Sequence, residues 1–183
     1  MNIKSSKILI GVTGGIAVYK VCSLATSLLK EGAEVRVVMT DSATKFVTPL
    51  TFQALTNKPV YHDLWNQHDQ NSVEHIDLAH WPDVVVVAPA TANTISKLAH
   101  GIADNLLTTV ILALLPETPI VVAPAMNTNM WNNQVTIENI EKLKSFKNYT
   151  VMDPRSGVLA CRDEGAGKIP TNESIIEAIK SLK

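Results

Sequence analysis

Short apolar runs alternate with longer stretches of helical spacing along this chain. Lys7 to Val12 (KILIGV) predicts a buried strand. Gly14 and Gly15 break it. Ala17 to Lys30 then sets Val21, Leu24, Leu28 and Leu29 on or near one helical face, and Gly32 stops that helix. Glu34 to Met39 (EVRVVM) predicts a second strand, Pro49 the first turn of a helix through Ala54, and Pro59 to His62 a weak third strand. Val84 to Ala88 (VVVVA) is the strongest strand pattern. Helices are expected over Asn93 to Ala99 and Leu106 to Leu115, joined through Gly101. Ile120 to Ala123 is a fifth strand, Ile137 to Ser145 a helix, Tyr149 to Met152 a sixth strand and Ser174 to Leu182 a closing helix.

Strands alternating with helices imply a parallel sheet covered on both faces. Six strands suit a doubly wound α/β sheet of order 3-2-1-4-5-6. In that order strands one and four are neighbours at the point where the winding reverses, and a ligand is expected beyond their C-terminal ends. Gly11 to Ile16 (GVTGGI) and Ala88 to Asn93 (APATAN) stand there.

Composition narrows the possibilities. The 183 residues fit one domain, 1–183, and 46% hydrophobic content argues against disorder. A net charge of −1 argues against nucleic acid, and no apolar run is long enough to span a membrane. The apolar run near the N-terminus is too short for a signal peptide, so a cytoplasmic protein is expected. Two cysteines, Cys22 and Cys161, make no disulfide framework. The five histidines have no metal-ligand spacing, so no metal is expected.

The most informative run is Pro124 to Trp131 (PAMNTNMW), directly after the fifth strand. Asn127 and Asn129 need hydrogen bonds, while Met126, Met130 and Trp131 offer soft apolar surface; polar groups among apolar walls make a small-molecule site. Capping of a helix accounts for the asparagines equally well. Gly14 and Gly15 suit a turn that lets backbone N–H groups approach a phosphate, or a turn that simply needs glycine; the spacing is not that of the dinucleotide fingerprint. At the end of strand two, Asp41 could hold an adenosine ribose, Thr40 and Ser42 could hold phosphate or ring atoms, or the group could cap a helix. Thr91, Asn93 and Thr94 combine hydroxyls and an amide with no acid, which suits a ligand or a cap. His75 is flanked by Glu74 and Asp77, and a surface role competes with a chemical one. Cys161 lies in a glycine-bearing loop with Arg162 and Lys168 near it, a setting that favours thiolate, whereas Cys22 reads as a core residue.

Together these motifs resemble the homo-oligomeric flavin-containing cysteine decarboxylases, nearest to the branch acting on phosphopantothenoylcysteine. The resemblance runs from TGGIAVYK through HIDLAHWPD, APATANTISKLAHGIADNLL and PAMNTNMW to LACRDEGAGKIP. It implies a three-layer, Rossmann-like (flavodoxin-like) fold and FMN rather than a dinucleotide. It puts FMN contacts on Gly14, Gly15, Ile16, Thr40, Ser42, Thr91, Ala92, Asn93, Thr94 and Ala125. It makes His75 the active-site histidine and Asn127 the ligand of the substrate carboxylate, with Met130 also at the substrate, and Cys161 the proton donor on a substrate loop. The implied reaction is redox neutral and turns 4′-phosphopantothenoylcysteine into 4′-phosphopantetheine and CO2 on the way to coenzyme A. The resemblance also implies a trimer or a dodecamer of trimers, with the flavin at the subunit contact. Some relatives are fused to a C-terminal ligase; as this chain stops at Lys183, either a separate phosphopantothenate-cysteine ligase or a sequence trimmed from a longer chain is expected. One departure stands out: Arg162 follows the cysteine where the family usually has glycine.

Three other readings compete. A peptidyl-cysteine decarboxylase of lantibiotic maturation needs no returning proton, so Cys161 argues against it. A non-catalytic FMN-binding regulatory subunit is opposed by intact His75, Asn127 and Cys161. A dinucleotide dehydrogenase would use Asp41.

Overall fold

The computed structural model describes residues 1–65, 73–158 and 164–182. The elements run β1 (Lys7–Val12), α1 (Val18–Lys30), β2 (Glu34–Met39), α2 (Asp41–Thr44), α3 (Pro49–Thr56), β3 (Val60–Tyr61), α4 (Glu74–His80), β4 (Val84–Ala90), α5 (Ala92–His100) and α6 (Leu106–Leu112). They continue with β5 (Ile120–Pro124), α7 (Thr128–Trp131), α8 (Gln134–Lys144), β6 (Tyr149–Val151), β7 (Arg155–Val158), β8 (Glu164–Lys168) and α9 (Asn172–Ser181).

The main sheet has six parallel strands in the order β3-β2-β1-β4-β5-β6, as the strand and helix alternation predicts. Its central strands are buried on both faces, which is why they read as continuous valine and isoleucine runs. The sheet divides the interior in two. One core holds Ile8, Ile10, Val12, Met39 and Phe52 together with the inner sides of α1 and α9. The other holds Leu9, Val38, Val85 and Val87 with α4, α5, α6 and α8. Cys22 packs against the first core, and burial pushes its thiol up, away from the thiolate.

Several elements differ from the pattern-based expectation. β7 and β8 form an antiparallel hairpin where only a loop is expected. Their sequences, RSGV and EGAGK, carry too few apolar residues to alternate. α2 and α7 are single turns of helix and α4 has seven residues, below the length at which periodicity is readable. α8 begins at Gln134 because Asn133 caps it, its Oδ1 accepting from the Val135 N–H at 3.0 Å. α6 ends at Leu112, earlier than expected.

Candidate functional site

Three chain reversals meet at the C-terminal ends of β1, β4 and β5. The first is the Gly14–Gly15 turn into α1. A Cβ on Gly14 would lie 2.4 Å from the Ser42 Cβ and 2.9 Å from the Ser42 carbonyl carbon, so glycine is what lets this turn lie against α2. A Cβ on Gly15 would meet nothing nearer than the Thr91 Cγ2 at 4.0 Å; its position looks into open space.

The second reversal leads into α5. Thr91 caps that helix, its Oγ1 accepting from the Thr94 N–H at 3.2 Å. Beneath it the fully buried Thr13 donates from Oγ1 to the Pro89 carbonyl at 2.6 Å and accepts from the Thr91 N–H at 3.0 Å. Thr13 thereby fixes the β1 loop to the β4 loop. The third reversal carries Asn127, whose Oδ1 accepts from the Asn129 N–H at 2.8 Å and caps α7. The Ala125 N–H donates to the Ala90 carbonyl at 3.1 Å, and the Met126 N–H to the Gly167 carbonyl at 3.0 Å. The second bond ties the Asn127 loop to the β7–β8 hairpin.

Between these loops lies a cavity of about 630 Å³, within the range of small-molecule sites. Gly14, Gly15, Ile16, Thr91, Ala92, Ala125, Met126, Asn127 and Met130 line it, with Tyr19, Lys20, Val158, Gly167, Lys168 and Ile169. The N-termini of α1 and α5 open towards it, and with Lys20 and Lys168 they give it a positive rim. Ile16, Met126 and Met130 supply apolar wall. Among the described residues no acidic side chain lines the cavity, and no group of His, Cys, Asp and Glu is arranged for a metal.

A model of the flavoprotein family matches residues 1–183. The chain belongs to that family. It is 46% identical over 176 residues to a probable phosphopantothenoylcysteine decarboxylase of Streptococcus mutans, covering 96% of this chain and 98% of that one. It is 45% identical over 175 residues to a bifunctional protein of coenzyme A biosynthesis from Bacillus subtilis, covering 96% of this chain but 42% of the relative's length. Among solved structures, a cysteine-to-serine mutant of PPC decarboxylase complexed with pantothenoylaminoethenethiol superposes with a TM-score of 0.83 at 34% identity over 97% of each chain. The FMN-dependent cysteine decarboxylase SpaF gives 0.82 at 31% identity, over 97% of this chain and 99% of its own.

In this flavoprotein the expected residues fall into three groups. Gly14, Gly15, Ile16, Thr91, Ala92, Ala125, Asn127 and Met130 line the cavity together. Thr40, Ser42, Asn93 and Thr94 stand behind or beside them. Thr40 caps α2, its Oγ1 accepting from the Ala43 N–H at 3.3 Å, and Thr94 is buried under Thr91. His75 is half-buried on α4 and does not line the cavity of its own chain. Cys161 and Arg162 lie outside the described residues. Asp41 is exposed and 3.7 Å from Lys45 Nζ. Sequence reasoning missed Tyr19 and Lys20; their position one turn beyond the paired glycines was the available signal. It also missed Val158, Gly167 and Ile169, which the hairpin brings in.

Proposed function

We propose that this chain decarboxylates 4′-phosphopantothenoylcysteine to 4′-phosphopantetheine with FMN, a step of coenzyme A biosynthesis. The observation that carries the reading is the cavity itself. Its polar groups are backbone turns, a threonine, a tyrosine, an asparagine and two lysines, and its walls are apolar. That set suits a flat ring with an anionic tail and a substrate bearing both carboxylate and phosphate. The relative from Streptococcus mutans, matched over nearly its whole length, supports the same substrate.

FMN fits the residues present. The open space in front of Gly15 is room that a methyl group would take. The N–H groups at the starts of α1 and α5 suit a phosphate. When bound, FMN supplies the two-electron exchange that makes loss of CO2 from a simple amino acid possible. The chain's own residues do the rest. Asn127 offers an uncharged amide to the substrate carboxylate and positions it without repelling it. Its cap to Asn129 and the Met126–Gly167 bond hold that amide in place. His75 accepts the thiol proton as a general base. Cys161 donates the proton that completes the product. That last role favours the complete cycle over one that stops after oxidation.

The placement of His75 favours a homo-oligomer, a trimer or a dodecamer of trimers, in which a second copy brings its α4 to this cavity. Exposed apolar side chains near the mouth, Ile16, Tyr19 and Met130, support such a contact. The protein is proposed to work in the cytoplasm with phosphopantothenate-cysteine ligase activity as its supplier. Among the described residues no helix is long and apolar enough to cross a membrane.

The deciding experiment is incubation of the FMN-loaded protein with phosphopantothenoylcysteine, with the product identified by mass. The proposal expects a loss of CO2 and a saturated thiol. An unchanged substrate refutes it, and an enethiol end product favours the peptidyl-cysteine type of reaction.

A further inference from the structure

We infer that a second, smaller cavity beside the first takes the phosphate end of the substrate, and that Arg155 sets the preference for the phosphorylated compound. The inference rests on the decarboxylase reading above.

The second cavity measures about 120 Å³, roughly the liquid volume of four water molecules. It joins the first, because Lys20 and Ile169 line both. Its apolar lining comes from Val21 and Leu24 of α1, Ile175 of α9, and Ile169. Its cations are Lys20 of α1 and Arg155 of β7. The register of the hairpin sets Arg155 opposite Lys168, which lines the first cavity. Positive charge thus continues from one cavity into the next.

The other polar groups of the lining are engaged with one another. The Asn172 side-chain amide donates to Ser23 Oγ at 3.0 Å, and the Ser23 hydroxyl donates to the Lys20 carbonyl at 2.6 Å. Thr171 Oγ1 accepts from the Ser174 N–H at 3.1 Å. These bonds hold the start of α9 against α1 and leave the two cations available to an anion. Among the described residues neither Arg155 nor Lys20 forms an ion pair. The carboxylate that feels Arg155 is the exposed Glu173. Hydrogen bonds from its own N–H and from the Thr171 side chain hold it below the usual range first, and Arg155 adds to that.

Length indicates which end of the substrate belongs here. The Gly167 carbonyl is bonded to the Met126 N–H, beside Asn127, where the carboxylate is proposed to sit. From Gly167 the chain runs to Thr171, in the lining of the second cavity, a span of at most about 14 Å. In 4′-phosphopantothenoylcysteine the carboxylate carbon and the phosphorus are about 12 bonds apart, which is also about 14 Å when extended. Next to its phosphate this substrate carries a pair of methyl groups on one carbon. The apolar lining suits those methyls, and the two cations suit the phosphate. The phosphate of FMN has other partners in the N–H groups at the starts of α1 and α5.

The test compares 4′-phosphopantothenoylcysteine with pantothenoylcysteine, which lacks the phosphate. KM and kcat for both, together with affinities for FMN and riboflavin, are measured in wild type, Arg155→Gln and Arg155→Lys. Wild type is expected to favour the phosphorylated compound through KM. Arg155→Gln is expected to raise KM for that compound about tenfold at unchanged kcat, and to leave both constants for pantothenoylcysteine as they were. Arg155→Lys should keep most of the preference, because it keeps the charge. A KM that does not rise overturns the inference. So does a rise equal for the two compounds, since that is the mark of a residue that only holds the hairpin in place. Weaker binding of FMN with unchanged binding of riboflavin assigns Arg155 to the cofactor's phosphate and overturns the inference too. Wild type that turns over neither compound refutes the decarboxylase reading itself, and the inference falls with it.

Discussion

Gly14 and Gly15 are neighbours, yet alanine at each should fail in a different way. At Gly14 the new Cβ would sit 2.4 Å from the Ser42 Cβ, 2.9 Å from its carbonyl carbon and 3.1 Å from its carbonyl oxygen. Two of those atoms are backbone, so no change of rotamer relieves the clash. The turn or α2 must shift, and overpacking of this kind costs about 2 kcal/mol. For a chain of this size that lowers the melting temperature by roughly 6 °C. At Gly15 the nearest atom is 4.0 Å away, so the folded protein without ligand should change by less than about 0.5 kcal/mol. The methyl group then occupies cavity space, and the loss appears as weaker FMN binding. The assay is thermal unfolding of the FMN-free variants, followed by titration with FMN through quenching of its fluorescence. Gly14→Ala should melt low, and Gly15→Ala should melt like wild type but bind FMN at least tenfold more weakly, about 1.4 kcal/mol. Wild-type FMN affinity in Gly15→Ala would refute the placement of the ligand. Equal melting of the two variants would refute the packing argument.

Four further outcomes are expected. Asn127→Asp keeps the cap on Asn129, since a carboxylate accepts that bond equally well, but repels the substrate carboxylate; turnover should fall by about 100-fold or more with the melting temperature held, measured by product formation. His75→Asn should retain FMN and lose substrate-driven bleaching. Gly165→Ala should push the hairpin from α7, because its Cβ would lie 2.5 Å from the Thr128 Oγ1 and 2.8 Å from its Cγ2; a rise in KM with little change in FMN content checks this. Burial pushes the Tyr149 hydroxyl from 10.0 up to about 12, so the unfolded chain releases that proton first as pH rises. Stability from this group is complete below about pH 10 and is lost between about pH 10 and about pH 12, and Tyr149→Phe should flatten that part of the melting curve against pH.

The sheet was legible because its strands are apolar on both sides. The bounds of β1 and β2 and the strand order follow from KILIGV, EVRVVM and the helices between them. The cavity loops were legible for a different reason: glycine pairs, threonines and asparagines are conspicuous directly after such strands. What stayed hidden had no period to read. The β7–β8 hairpin consists largely of glycine and charged residues, and its contribution to the cavity depends on one backbone bond from Met126 that no side-chain pattern encodes. The caps were the reverse case. Asn133 and Thr171 stand in plain view before α8 and α9, and weighing them sets both helix starts ahead of the apolar spacing. His75 was visible as a candidate base, but its position outside the cavity of its own chain was not, because a seven-residue helix gives too little pattern to fix which way it faces.

The bond from the Met126 N–H to the Gly167 carbonyl has a mechanical consequence. It lies one residue from Asn127 on one side and one residue from Lys168 on the other. A pull on the second strand of the hairpin is therefore felt at the Asn127 side chain, through a link only a few atoms long. The two parts work as a single lever. If Asn127 holds the substrate carboxylate as proposed, a substrate that reaches the hairpin would also steady the amide that holds it, and a molecule too short to reach the hairpin would not.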